Sequence, residues 1–157
     1  MAELYQAIEG RDDYGPMGVF FEWLPGKEQW VGMTRLGWPG GYKIHISINP
    51  AEDEKAAQKI LPFLREGNKY HKIVASPPAY GRLNSGKSRG KFVTIYCGPN
   101  LHKFAELVGA LDSFLLTQRF KPGPRPQERE GDRYIGDEPS IGLCGLLTYT
   151  VKEDYQD

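Results

Sequence analysis

A five-residue alternation in the first third of the chain strongly constrains the local fold. It reads Lys43-Ile44-His45-Ile46-Ser47, with polar and apolar residues at alternate positions. Side chains two residues apart in a β-strand lie on the same face. Lys43, His45 and Ser47 would therefore share one face, while the two isoleucines enter the core. A cation beside a titratable imidazole suits acid–base chemistry on an anionic group. The alternative is an edge strand whose polar face meets solvent.

The length and composition predict a single globular domain over residues 1–157. The apolar fraction of 39% and the charged fraction of 25% are typical of soluble proteins. The 20 basic and 20 acidic residues balance each other, which argues against binding nucleic acid or an anionic membrane through bulk charge. The two cysteines, Cys97 and Cys144, form no metal-binding motif and favour a reducing compartment.

No apolar run reaches transmembrane length, and the first residues do not resemble a secretory signal. We therefore expect no membrane partner. The expected location is the cytoplasm, or outside the cell after export by a route that leaves no cleavable signal.

Capping residues predict two main helices. Asn49 followed by Pro50 indicates the start of the first helix, which Gly67 ends. Asn100 caps the second helix, predicted at about 101–117. Strands are predicted at 17–23, 29–34, 42–48, 70–75, 91–97 and 142–151, with a long charged loop from 120 to about 140. Because helices and strands do not strictly alternate, we predict an α+β fold with a mixed or largely antiparallel sheet.

Two further motif matches lack the context that they need. Residues 81–88 fit the Walker A expression, but a β-rich run follows them where a P-loop requires a helix. His45-Ile46-Ser47 fits the His-x-Ser/Thr signature of two-histidine phosphoesterases. A second copy is missing, since neither His71 nor His102 has a hydroxyl two residues later. His71, beside Lys72, is expected to alternate outward from its strand.

Lys72 and Tyr96 each allow two interpretations. Lys72 is either an edge-strand residue whose stem covers apolar surface, or a base if it lies near Lys43 and arginines. Crowding of cations lowers the pKa of a lysine, which lets it take up a proton near neutrality. Tyr96 ends the strand at 91–97, where its hydroxyl could reach a phosphate, or it is simply an amphipathic strand-end residue.

Several segments, in chain order, resemble one protein family. The family comprises bacterial phosphothreonine lyases injected as type III secretion effectors and the related lyase domain of class III lanthipeptide synthetases. Residues 41–48 resemble its Lys-x-His-Ile-Ser strand, and 71–73 fall where it has an aromatic-Lys-Val strand. Residues 90–96 closely resemble the synthetase version Gly-Lys-Phe-Ile-Thr-Ile-Tyr, and 120–129 resemble its Gly-Pro…Ser-Asp-Arg loop. The similarity covers about residues 41–150.

This resemblance implies Lys72 as the general base and His45 as the general acid. The residues that it and the basic loops offer for binding substrate phosphate are Lys43, Arg82, Arg89, Lys91, Tyr96 and Arg129. The family's final strand carries Tyr-Arg, whereas this chain has Tyr149-Thr150. Arg129 or Arg133 would have to replace the lost arginine.

The implied activity is a metal-free β-elimination without a cofactor. Phosphate would leave phosphothreonine or phosphoserine of a phosphorylated peptide or protein and give a dehydroamino acid. The chain would act as an effector or as the elimination subunit of a lanthipeptide pathway, with a kinase as a partner. The alternatives are a metal-free phosphoesterase built on His45, acting on a small or nucleotide phosphate, and a non-catalytic phosphopeptide-binding module.

Overall fold

The fold was determined from a computed structural model. The structure describes residues 14–17, 20–23, 40–67, 69–74, 89–130 and 133–152. The strand predicted at 29–34 lies outside these ranges. The elements in chain order are β1 (Tyr14–Met17), β2 (Phe20–Trp23), β3 (Gly41–Ile46), α1 (Asp53–Glu66), β4 (His71–Val74), β5 (Val93–Gly98), α2 (Leu101–Gln118), β6 (Gln127–Glu130), β7 (Arg133–Asp137) and β8 (Leu147–Lys152).

Six of these strands form one antiparallel sheet in the order β1-β2-β4-β5-β3-β8, and β6 pairs with β7 in a separate antiparallel ribbon. The predicted α+β class, with two main helices and a largely antiparallel sheet, is confirmed. β3 lies between β5 and β8, and β4 lies between β2 and β5. Both strands are therefore interior, so the edge-strand interpretations of the alternation and of Lys72 are wrong.

The two helices contribute to one hydrophobic core against a single face of the sheet. Ile44, Ile46, Ile73 and Ile95 are fully buried on that face. The helices add the buried side chains of Ala56, Ala57, Ile60, Leu61, Leu64, Phe104, Leu107, Val108, Leu111 and Leu115. Burial of one large aliphatic side chain contributes about 1.5–3 kcal/mol. Strand alternation then directs the polar residues between these isoleucines to the opposite face.

The predicted helix caps are confirmed. The side chain of Asn49 accepts a hydrogen bond from the N–H of Ala51 at 2.9 Å and begins a 3₁₀ turn that leads into α1. Gly67 ends α1. The side chain of Asn100 accepts a hydrogen bond from the N–H of Lys103 at 2.9 Å at the start of α2. Neither helix in the described part of the chain combines the length and hydropathy needed to cross a bilayer.

Three sequence predictions are wrong in detail. The strand at 17–23 is two strands, β1 and β2, paired antiparallel. The loop at 120–140 contains β6 and β7, whose charged residues lack the apolar alternation that signals a strand. The last strand begins at Leu147 rather than at 142, and Asp112 of α2 binds the loop that precedes it. Its carboxylate accepts hydrogen bonds from the N–H groups of Leu143 and Cys144 at 2.8–3.0 Å.

Candidate functional site

The face of the sheet opposite the helices carries a row of polar residues. Lys72 of β4 lies opposite Thr94 of β5, Thr94 lies opposite His45 of β3, and His45 lies opposite Thr148 of β8. Directly opposite residues in antiparallel strands share a face. Two strand spacings of about 4.8 Å each separate the backbones of Lys72 and His45. The two residues predicted as base and acid therefore lie on one face, with Thr94 between them.

His71 lies on the other face of β4 and is fully buried in the core. The expectation that it alternates outward is wrong. Because neighbouring residues in a strand alternate, only one of His71 and Lys72 can face the polar row, and the register assigns that position to Lys72.

Tyr96 brings two lysines to one aromatic ring. Lys43 is its register partner on β3, and the Nζ of Lys43 lies 5.5 Å from the ring centroid of Tyr96. The Nζ of Lys72 lies 6.0 Å from the same centroid. The ring of Tyr70 packs against Tyr96 with a centroid separation of 4.6 Å. A cation over an aromatic face is stabilised by about 0.5–1 kcal/mol at exposed sites, so this ring helps to hold both ammonium groups beside the polar row.

His45 and Glu138 form a buried hydrogen-bonded pair. The Nδ1 of His45 lies 2.7 Å from the Oε1 of Glu138, and the two residues are 4% and 1% exposed. The hydroxyl of Thr148 donates to the same Oε1 at 2.8 Å. These contacts orient the imidazole and leave its Nε2 for other partners.

Burial determines the charge of this pair in the ligand-free protein. Loss of solvation lowers the pKa of His45 to about 4, outweighing the opposing effect of Glu138, and the charges of Lys91 and Lys43 lower it further. Loss of solvation acts to raise the pKa of Glu138. The hydrogen bond from His45, the hydroxyl of Thr148 and the charge of Lys91 hold that pKa below its usual value. At neutral pH, the pair is a neutral imidazole that donates its Nδ1–H to a carboxylate.

Hydrogen bonds with Pro126 and Arg125 hold the backbone of Glu138 in position at the site. The N–H of Glu138 donates to the carbonyl of Pro126 at 2.9 Å, and its carbonyl accepts from the Nε and Nη2 of Arg125 at 3.0 and 2.9 Å. The carbonyl of Arg125 accepts from the Nε of Arg89 at 2.8 Å, and the Nη2 of Arg89 pairs with Asp137 at 3.0 Å. Arg89 thus braces the backbone that carries Glu138.

Ser47 continues the polar face of β3 and anchors the same segment. Its hydroxyl donates to the carbonyl of Pro124 at 2.6 Å, and it is 5% exposed. Ser47, the last polar residue of the alternation that begins at Lys43, therefore has a structural role. The backbone at Pro124 packs against the end of the polar row, two residues along the strand from the buried His45.

The predicted phosphate ligands fall into different environments. Lys43 and Tyr96 lie with Lys72 and His45 on the polar face, and Lys91 is close enough for its charge to act on His45. Arg89 is engaged by Asp137. Arg82 lies outside the described residues. The backbone of Arg129 is in β6, and its side chain also lies outside the described part.

Sequence reasoning missed Glu138. It follows a charged run in which Glu128, Glu130 and Asp137 have the same chemistry, so its local sequence does not distinguish it. A buried histidine on an interior strand needs a partner for its Nδ1–H, and that requirement could have prompted a search for a carboxylate. The choice among these acids depends on the fold.

The site can bind an anion and exchange protons. Lys43, Lys72 and Lys91 supply positive charge, while the pair of His45 and Glu138 can hold or release a proton. In the described ranges, no three side chains of His, Cys, Asp or Glu are grouped so that they could hold a metal ion.

Comparison with solved structures identifies the class of fold. The chain is similar to the type III effector and phosphothreonine lyase OspF from Shigella flexneri, with a TM-score of 0.54. The two are 20% identical, and the match covers 88% of this chain and 69% of that chain. At this identity, the likeness establishes a shared fold.

A comparison with family models then identifies the family. The model described as the N-terminal domain of RamC matches residues 24–125. The chain belongs to this RamC N-terminal domain family. The comparison with curated proteins gives no match. The resemblance that the sequence motifs indicate is thus supported by a family match and by the fold of a phosphothreonine lyase.

Proposed function

We propose that this chain is a phosphothreonine or phosphoserine lyase-like enzyme that acts on a phosphorylated peptide or protein. The observation that carries the proposal is the position of Lys72 and His45 in one row of the polar face, with Lys43 beside them. The fold shared with OspF and the RamC family match support it. A kinase-type reaction must supply the phosphorylated substrate.

The proposed elimination needs two proton transfers. The neutral amine of Lys72 takes the Cα proton and becomes an ammonium. The electron pair of the Cα–H bond forms the Cα=Cβ double bond, and the Cβ–O bond breaks. Phosphate leaves with the oxygen atom and receives a proton from the Nε2 of His45. The product is a dehydroamino acid, and no water enters the reaction.

Because His45 is neutral in the ligand-free protein, the proposed elimination requires that substrate binding lead to its protonation. His45 is neutral before binding, because burial lowers its pKa to about 4. A phosphate dianion beside the imidazole favours the charged form, and the carboxylate of Glu138 stabilises that form from the other side. A phosphate monoester with a second pKa near 6 can itself deliver the proton.

A second candidate is favoured by the same neutral imidazole. A histidine whose Nδ1–H is held by a carboxylate presents an unprotonated Nε2, the form that acts as a base or nucleophile. This state of His45 suits a metal-free phosphoesterase on a small or nucleotide phosphate. In that mechanism Lys72 has no role as a base.

The mass of the product separates these functions. We would incubate the protein with phosphothreonine and phosphoserine peptides and record mass spectra. A lyase gives a peptide lighter than the unphosphorylated form by one water, while a phosphoesterase gives the unphosphorylated mass. A phosphopeptide-binding module leaves the mass unchanged. The second and third results would each overturn the proposed lyase activity.

The Lys72→Ala variant tests the base. We expect its turnover to fall by about 10²–10⁴-fold, the usual contribution of one acid or base, with phosphopeptide affinity largely retained. Lys103→Ala is the matched control, because it removes the same charge from an exposed position on α2. A wild-type rate in Lys72→Ala would reject Lys72 as the base.

A further inference from the structure

Thr94 carries a buried hydroxyl for which the described part of the chain supplies no hydrogen-bond partner. The residue is 2% exposed, and its Oγ1 makes no hydrogen bond with any of the described residues. A buried hydroxyl without a partner is destabilising, because it gives up its bonds to water and gains none in return. Valine has nearly the same shape and would remove this penalty.

The position of Thr94 points to a ligand as the missing partner. It is the register partner of both His45 and Lys72, and it lies between them on the polar face. Opposite side chains on a sheet have Cβ atoms about 4.5–5.5 Å apart. A group held by both the amine and the imidazole must therefore lie over Thr94.

In the proposed elimination, the group between the base and the acid is the phosphorylated side chain. Its Cα proton meets Lys72, and its ester oxygen meets His45. The ester and phosphate oxygens accept hydrogen bonds, and a threonine hydroxyl can donate one. Two threonine hydroxyls belong to the described part of the polar row. The hydroxyl of Thr148 already donates to Glu138, which leaves the hydroxyl of Thr94 as the donor for the substrate.

We propose that Thr94 is a substrate-binding residue whose hydroxyl donates a hydrogen bond to the phosphate ester held between Lys72 and His45. This assignment rests on the proposed lyase function. It adds a third contact to the reacting group and gives a reason for a hydroxyl at a buried position where valine would leave no polar group unsatisfied.

The test compares Thr94→Val with Thr94→Ser on a phosphothreonine peptide. We expect kcat/KM for elimination to fall by about 10–100-fold in Thr94→Val, as when a hydrogen bond to a charged group is lost. The melting temperature should stay equal or rise, because the unsatisfied hydroxyl is gone. Thr94→Ser keeps the donor and should retain most of the activity. Thr94→Ala provides a second variant without the hydroxyl and should show the same loss.

The possible outcomes separate this assignment from the proposed function. Wild-type protein that yields no dehydrated peptide overturns the lyase activity, and the assignment with it. Active wild type, together with wild-type kcat/KM in both Thr94→Val and Thr94→Ala, overturns only the assignment. A loss of activity in Thr94→Val that follows a fall in melting temperature, and is shared by Thr94→Ser, would also overturn it by showing a packing role.

Discussion

At the scale of single residues, His45 shows how burial and hydrogen bonding set a chemical state. The imidazole is fixed by Glu138 on one side, and burial keeps it neutral despite that carboxylate. A neutral, oriented imidazole can accept a proton at Nε2 and return it. In the proposed lyase, the imidazole is protonated once an anion has bound, and it then releases this proton from Nε2 to the leaving phosphate.

The ring of Tyr96 gives a second prediction at this scale. The Nζ atoms of Lys43 and Lys72 lie within 6.0 Å of its centroid, so we expect the ring, through its contact with the charged Lys43, to contribute more than the hydroxyl. Tyr96→Phe should keep most of kcat/KM for elimination. Tyr96→Leu should lose about tenfold, since cation–π contacts contribute about 0.5–2 kcal/mol. Steady-state assays on one phosphopeptide measure both.

Equal losses in the two Tyr96 variants would contradict this account. They would instead favour the interpretation from the sequence that the hydroxyl contacts the phosphate. Melting temperatures of both variants serve as the control, because Tyr96 also packs against Tyr70.

At the scale of elements, the approach of the segment at 121–126 to the sheet depends on Gly90. Its φ of +73° lies in the left-handed region, and an added Cβ would collide with the carbonyl of Pro124. The same carbonyl accepts the hydroxyl of Ser47. Gly90 therefore permits the contact between Ser47 and Pro124 at the end of the polar row.

We predict that Gly90→Ala destabilises the protein more than Gly98→Ala does. Gly98 has a similar φ of +77° but open space around an added Cβ, so its substitution should cost only the left-handed strain of about 1–2 kcal/mol. Gly90→Ala adds the collision and should exceed this value by about 1 kcal/mol or more. Urea unfolding measures both, and equal losses would contradict the close packing at Gly90.

At the scale of the whole molecule, two buried histidines on opposite faces of the sheet link stability to pH. Burial lowers the pKa of His71 to about 4, the hydrogen bond to the carbonyl of Lys69 opposes this shift, and the charge of Arg65 adds to it. Burial lowers the pKa of His45 as well. The unfolded state, with histidine pKa values near 6.5, takes up protons first as the pH falls.

We therefore expect the free energy of unfolding to fall as the pH drops from about 6.5 to about 4. A shift of this size in His71 corresponds to roughly 3 kcal/mol at full protonation of the unfolded state. His71→Asn, which can still donate to the carbonyl of Lys69, should reduce the slope over this range. Urea unfolding at several pH values measures it. An unchanged slope in His71→Asn would contradict a buried, neutral His71.

Local chemistry made part of this structure predictable. The caps at Asn49 and Asn100 and the helix end at Gly67 depend on residues within one turn of each other, so the sequence predicts them correctly. The alternation around His45 likewise depends only on neighbouring residues, and it determines which side chains share a face of the strand. The charged hairpin of β6 and β7 was not predictable, because exposed strands do not need the apolar pattern that marks buried ones.

The sequence by itself determined that the strand segments of His45 and Lys72 each carry polar residues on one face and apolar core residues on the other. Only the tertiary structure decided that β5 lies between β4 and β3, which sets Thr94 between Lys72 and His45. It also decided that Glu138, 93 positions from His45, becomes the partner of its imidazole. The reason is physical: caps and alternation arise from neighbouring residues, whereas strand order and the choice among chemically equal carboxylates depend on how distant segments pack.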